Sequence, residues 1–152
     1  MMKHKIKILP LALTAAALSA CSSTKVSVAE GKAGELKTIS RICIIPNPKR
    51  TPKGLEHVIA RSLNNHGIDS EIVDVPADRQ RLYTPQCRYN LRYISAGSRQ
   101  MIEKITIILR TPDYSVASIG YKVSDDPAFR RSPDLQKQTD GIIARLLGKN
   151  TQ

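Results

Sequence analysis

The residues of this 152-residue chain whose types could do chemistry are Cys43 and Cys87, His57 and His66, and the arginines at 79, 81, 88 and 92. A thiol can act as a nucleophile, a metal ligand or half of a disulfide, but there is no Cys-x-x-Cys, so a redox motif or a zinc ribbon has no support. His57 and His66 stand nine positions apart, which rules out the i, i+4 spacing that turns two imidazoles toward one metal. Glu56 and His57 are neighbours, and on a helix neighbouring side chains diverge. Neither a Gly-x-Ser-x-Gly elbow nor a glycine-rich phosphate loop is present. The carboxylates cluster in turns, as Asp125-Asp126 do before Pro127, rather than forming a pair placed for acid–base work. No catalytic residue, metal site or cofactor is therefore expected. The arginines suggest anion binding instead. Arg88 and Arg92 are an even step apart and would share one side of a strand. With Lys104 and Arg110 on the next strand they would form a basic sheet face, with Tyr83 as a recognition residue in the preceding loop. The plainer alternative is a solvated polar face opposite the helices.

The N-terminus carries chemistry of another kind. Lys3, Lys5 and Lys7 precede an uncharged run from Ile8 to Ala20, the order of a secretory signal. The run is too short for a membrane span, which needs roughly 20 apolar residues, and Pro10 interrupts it. Leu18-Ser19-Ala20-Cys21 resembles the lipobox of bacterial prolipoproteins. Ala20 would also satisfy an ordinary signal peptidase, but Leu18 would not; ordinary cleavage within Ala15-Ala16-Ala17 is the alternative. The resemblance implies removal of residues 1–20 and diacylglyceryl modification of Cys21. A buried methylene contributes about 0.8 kcal/mol, so several acyl chains on one cysteine make a durable membrane anchor. Ser22, where an aspartate would signal retention at the inner membrane, implies the outer membrane, with the domain on its periplasmic side. With Cys21 consumed, Cys43 and Cys87 form an even pair, expected to be a disulfide in an oxidising periplasm. Closing so long a loop stabilises a fold by about 4 kcal/mol in the chain-entropy model. Two separately buried thiols are the alternative.

The elements that would position these residues follow from periodicity. Residues 21–37, rich in Ser, Thr, Lys, Gly and Ala, read as a lipidated start and flexible tether, with only a weak strand signal at Lys25–Val28. One domain is expected over residues 38–149. Arg41-Ile-Cys-Ile-Ile45 suits a buried strand. Thr51-Pro52 would start a helix carrying Leu55, Val58, Ile59 and Leu63, stopped at Gly67. Ser70–Val75 would be the next strand, parallel to the first. A strand opened by Cys87 then alternates Tyr89, Leu91 and Tyr93 inward. Ile102–Arg110 and Tyr114–Val123 follow as an antiparallel meander. Ser132-Pro133-Asp134 caps a last helix ending at Gly148. The expected fold is α+β, a mixed sheet in the order β-α-β-β-β-β-α with the helices packed on one face.

This pattern is similar to the small modules of several envelope lipoproteins and of TolB-type periplasmic proteins. Cys87-Arg-Tyr-Asn-Leu-Arg-Tyr93 and Ile119-Gly-Tyr121 resemble an uncharacterised family of short proteobacterial lipoproteins, a resemblance that implies an envelope location and no activity. The 24 basic and 13 acidic side chains give +11, and +8 remains once the three signal lysines are gone. Export argues against nucleic acid as the counter-charge and leaves envelope phosphates and carboxylates, or plain solubility. The expected partners are the membrane, through the lipid on Cys21, and an envelope protein. The expected role is a non-enzymatic binding or assembly accessory. The alternatives are an envelope enzyme acting on glycan or lipid, and anionic-polymer binding through the basic sheet face.

Overall fold

A computed structural model of the protein describes residues 24–47 and 53–149; Cys21 and the expected helix start at Thr51-Pro52 lie outside them. Six strands form one sheet: β1 (Lys25–Val28), β2 (Arg41–Ile45), β3 (Asp69–Ile72), β4 (Asn90–Gly97), β5 (Ile102–Arg110) and β6 (Ser115–Lys122). Their order across the sheet is β1-β6-β5-β4-β2-β3. The helices are α1 (Ala33–Thr38), α2 (Leu55–Asn65), α3 (Pro127–Arg131) and α4 (Leu135–Leu146). The α+β class is the one expected. β2 and β3 are a parallel pair joined through α2, β4 lies parallel to β2 on its other side, and β4, β5 and β6 form the antiparallel meander.

Period-two alternation sorts the sheet into two faces. Leu91 and Tyr93, Ile105, Ile107 and Leu109, and Ala117, Ile119 and Tyr121 all turn to one side and are buried. There they meet Leu55, Ile59 and Leu63 of α2 and Ile142, Ile143 and Leu146 of α4 in the main core. Both long helices end alike. Gly67 and Gly148 take positive φ (75° and 67°), which costs glycine nothing. The next amides return to the helix, Ile68 N–H to Leu63 O at 2.9 Å and Lys149 N–H to Ala144 O at 2.8 Å, closing the last turn as a Schellman motif. Asp134 caps α4 by accepting from the Lys137 amide at 2.9 Å.

Four expectations need correction. Residues 25–37 are not a tether: β1 pairs with β6 from Lys25–Gly120 to Val28–Ala117, and α1 buries Leu36 in the main core. A four-residue strand and a six-residue helix with one buried side chain are too short for periodicity to reveal. The folded unit thus begins near residue 25 rather than 38. The strand expected over Ser70–Val75 is β3, Asp69–Ile72; Val73 still donates to Ile44 O at 2.9 Å and is buried on the face opposite the main core. α2 begins at Leu55, entered from Gly54 at φ +94°. Cys87 does not open a strand: it ends a 3-10 turn, Pro85–Cys87, and β4 starts at Asn90.

Two contacts fix the hairpin between β4 and β5. Gly97 adopts φ +145°, and a Cβ there would stand 2.3 Å from the Met101 carbonyl oxygen. Gln138 of α4, almost fully buried, spans the start of β5. Its Oε1 accepts from the Ile102 amide at 2.7 Å. Its Nε2 donates to Ile102 O at 2.8 Å and to the Tyr121 hydroxyl at 3.0 Å.

Candidate functional site

The face away from the helices carries the residues with chemistry. Cys43 of β2 and Cys87 are joined in a disulfide, Cα to Cα 5.2 Å, and with Val73 and Leu82 they form a second, small buried cluster on that face. The bridge pins down the segment from residue 73 to 89, whose two 3-10 turns are Arg79–Tyr83 and Pro85–Cys87. Glu71 sits close to the sulfurs, so Cys43, Glu71 and Cys87 bring three residues of metal-ligand type together. The sulfurs are bonded to each other, however, and do not offer thiolates. Arg81 donates twice to Glu71, from Nε at 2.8 Å and from a terminal nitrogen at 2.9 Å, the two-pronged geometry that makes such pairs strong. Arg41 adds a bond to Glu71 at 2.8 Å and also contacts Asp69. The Arg81 and Arg41 bonds hold the Glu71 carboxyl down at about 2. Arg81 is thereby a strut rather than a ligand-binding residue.

Arg88 and Arg92 do not share a strand side. Arg88 lies just after the 3-10 turn with helical backbone (φ −49°, ψ −43°), so the alternation that would have aligned it with Arg92 starts only two residues later. Its guanidinium donates to the Tyr114 hydroxyl at 3.3 Å, lies over the Tyr89 ring at 5.6 Å and stands 3.8 Å from Glu35. Glu35, on α1, is the hub of that group. It accepts from Tyr114 at 2.6 Å and Tyr89 at 2.8 Å and pairs with Lys32 at 3.1 Å. The tyrosine hydroxyls, Tyr114 foremost, hold its carboxyl at about 2. Lys32 in turn lies 3.8 Å from the centre of the Tyr114 ring. Helix α1 is locked to the sheet through this cluster, and no feature of the sequence alone pointed to it.

Arg92 is exposed on β4 and faces away from the helices, paired across the sheet with Ile108. Around it Ile45, Pro46, Ile94, Thr106 and Ile108 line a shallow cleft of about 340 Å³. Ile94 and Ile108 are 49% and 40% exposed, unusual for isoleucines in the middle of a sheet. Tyr83, 69% exposed, stands between this region and the cleft of about 320 Å³ that Arg88 lines. Arg110 reaches back to the Thr111 and Pro112 carbonyls at 3.0 and 3.3 Å, and Lys104 is exposed on the same face as Arg92. Arg92, Lys104 and Arg110 therefore share one face of the sheet, spread along it, while Arg88 belongs to the tyrosine cluster. His57 is exposed on α2, while His66 at the far end of that helix lies 3.2 Å from the Asp140 carbonyl. Asp126 precedes α3 and faces Arg145 at 3.8 Å. A further cleft of about 490 Å³ lies on the helical side, lined by His66, Tyr121, Phe129 and Gln138.

No protein-family model matches the chain, and no curated protein is significantly similar to it in sequence. Among solved structures it is similar to the dodecamer of a single-substitution PelC variant from Paraburkholderia phytofirmans, with TM-score 0.51 and 14% identity over 82% of this chain and 94% of that one. A second PelC dodecamer structure from the same species gives TM-score 0.48 and 15% identity over 84% and 99%. At such identities the likeness is one of fold.

Proposed function

We propose that this chain is an outer-membrane lipoprotein, anchored through an acylated Cys21 and facing the periplasm, that acts as a non-enzymatic binding or assembly accessory. The observation that carries the binding role is the open sheet face, where Ile94 and Ile108 stand exposed beside Arg92. Apolar side chains ringed by polar and basic groups are the composition of protein-recognition surfaces, in which arginine is enriched and full burial of the apolar centre gives the affinity. The anchor rests on Leu18-Ser19-Ala20-Cys21 and the charged start before it. PelC, whose fold is similar, forms a dodecamer in its solved structure, so a further copy of this chain is the first partner to test.

Light scattering and native mass spectrometry of the mature protein in detergent report self-association. Affinity capture from solubilised envelopes reports a different protein partner. Ile94→Ser with Ile108→Ser should abolish the association found in either experiment while leaving the melting temperature nearly unchanged. If the double variant keeps the same partners, the open face is not the binding surface. Association that instead elutes steeply with salt and is lost in Arg92→Ala favours an anionic polymer. For the anchor, Cys21→Ser should yield an unprocessed or soluble exported form, and a wild-type N-terminal peptide that starts elsewhere without lipid overturns it.

A further inference from the structure

We infer that the end of the sheet bearing Lys25, Lys104 and Lys122 lies directly on anionic phospholipid headgroups, a surface that rests on the Cys21 anchor proposed above. Reach is the first argument. β1 starts at Lys25, four positions after Cys21. An extended chain spans at most about 3.3–3.6 Å per residue, so the two α-carbons stay within about 14 Å of each other. A long tether would let the domain wander; this spacing keeps one particular end of it beside the bilayer.

Charge is the second argument. The direction of β1 places Lys25 at the end where β6 finishes with Lys122 and β5 begins. Lys25 lies opposite Gly120, two residues before Lys122, and Lys122 lies directly opposite Lys104. All three lysines are exposed. Like charges facing each other across neighbouring strands are destabilising, and none of the three has an ion-pair partner among the described residues. Arg99, at the β4–β5 hairpin, and Lys53 line one cleft at this same end. The carboxylates nearby are few. Glu103 is exposed beside Lys104, Asp125 and Asp126 follow Lys122, Asp126 already faces Arg145 at 3.8 Å, and Glu56 accepts from the Tyr93 hydroxyl at 3.4 Å. A basic cluster next to an acyl anchor supplies the second, electrostatic attachment that orients a lipidated protein on an anionic surface. The attraction fades beyond a Debye length, about 8–10 Å at ordinary salt, which the short reach from Cys21 makes attainable.

The native lysines are the probes. Lipidated mature protein is placed in detergent, in phosphatidylcholine vesicles and in vesicles that also contain phosphatidylglycerol, and its amines are acetylated by a membrane-impermeant reagent and read by mass spectrometry. Lys25, Lys104 and Lys122 should react several-fold more slowly on the phosphatidylglycerol vesicles than on the other two, and high salt should reverse the difference. Lys37 on α1 and Lys149 after α4, at the opposite end of the sheet, should react alike throughout. Equal reactivity of all five lysines overturns the inference, as does protection confined to Lys25. Intact mass of the same sample keeps the two readings apart: protein without lipid sinks the anchor, whereas lipidated protein with unprotected lysines sinks only the membrane-facing end.

Discussion

Leu91→Ala removes a fully buried side chain of β4 from the middle of the core, flanked in the sheet by Ile44 of β2 and Leu109 of β5. Such deletions cost about 2–5 kcal/mol, measurable as a lower urea midpoint. Arg92→Ala, one residue away on the open face, should stay within about 0.5 kcal/mol of wild type. If Arg92→Ala unfolds the protein and Leu91→Ala is silent, the two faces are inverted. Glu35 and Glu71 give a pH signature. Their carboxyls are held at about 2 against an ordinary 4.5. A depressed pKa stabilises the fold fully above the unfolded value and is lost as pH falls through the folded one. The urea midpoint should therefore drop between pH 4.5 and 2, the two values that bracket both shifts. Glu35→Gln should flatten part of that drop, because the amide still accepts from Tyr89 and Tyr114 but no longer titrates. An unchanged slope in the variant would show that Glu35 is not the group responsible.

At the scale of elements, the disulfide closes a separation of 44 residues between β2 and the segment that covers it. Cys43→Ala with Cys87→Ala should cost about 4 kcal/mol, the loop-closure entropy for that length. It should also expose the peptide bonds of residues 73–89 to protease before the rest of the chain; simultaneous cleavage everywhere would mean that the bridge does not hold this segment separately. Gln138→Ala would strand the Ile102 amide and carbonyl inside the protein, at about 1–3 kcal/mol for each buried group left unpaired, and chemical denaturation would read the loss. Strand alternation, helix stripes and the cysteine count made the β2–α2–β3 unit, the meander, α4 and the disulfide legible in the sequence. Gln138 was not, because a polar residue on an apolar helix stripe looks like a break until its partner strand is known. Arg88 was misplaced because polar–apolar alternation runs by coincidence back to Cys87, which ends a 3-10 turn started by Pro85 instead of opening a strand. Helix α1 is held by Leu36 and by long-range bonds from Tyr89 and Tyr114 to Glu35, none of which has a local signature.

The whole molecule is a sheet whose first strand is fastened by its last. Lys25 and Gly120, which face each other across β1 and β6, stand far apart along the chain, with α1, β2, α2, β3, β4 and β5 between them. Contacts of that kind form late, because the chain between them must be ordered before the pairing can repay its loop entropy. For a polypeptide that crosses a membrane N-terminus first, β1 has nothing to pair with until Ser115–Lys122 has also crossed. Throughout that interval β1 is an unpaired strand at the front of the arriving chain. On the processing proposed for Cys21, an enzyme that acylates or cleaves there would have the time during which the chain is still arriving, and the arrival of β6 would end it. A slower-pairing β6, such as one carrying Ile119→Gly, would lengthen that interval, and a faster-closing one would shorten it.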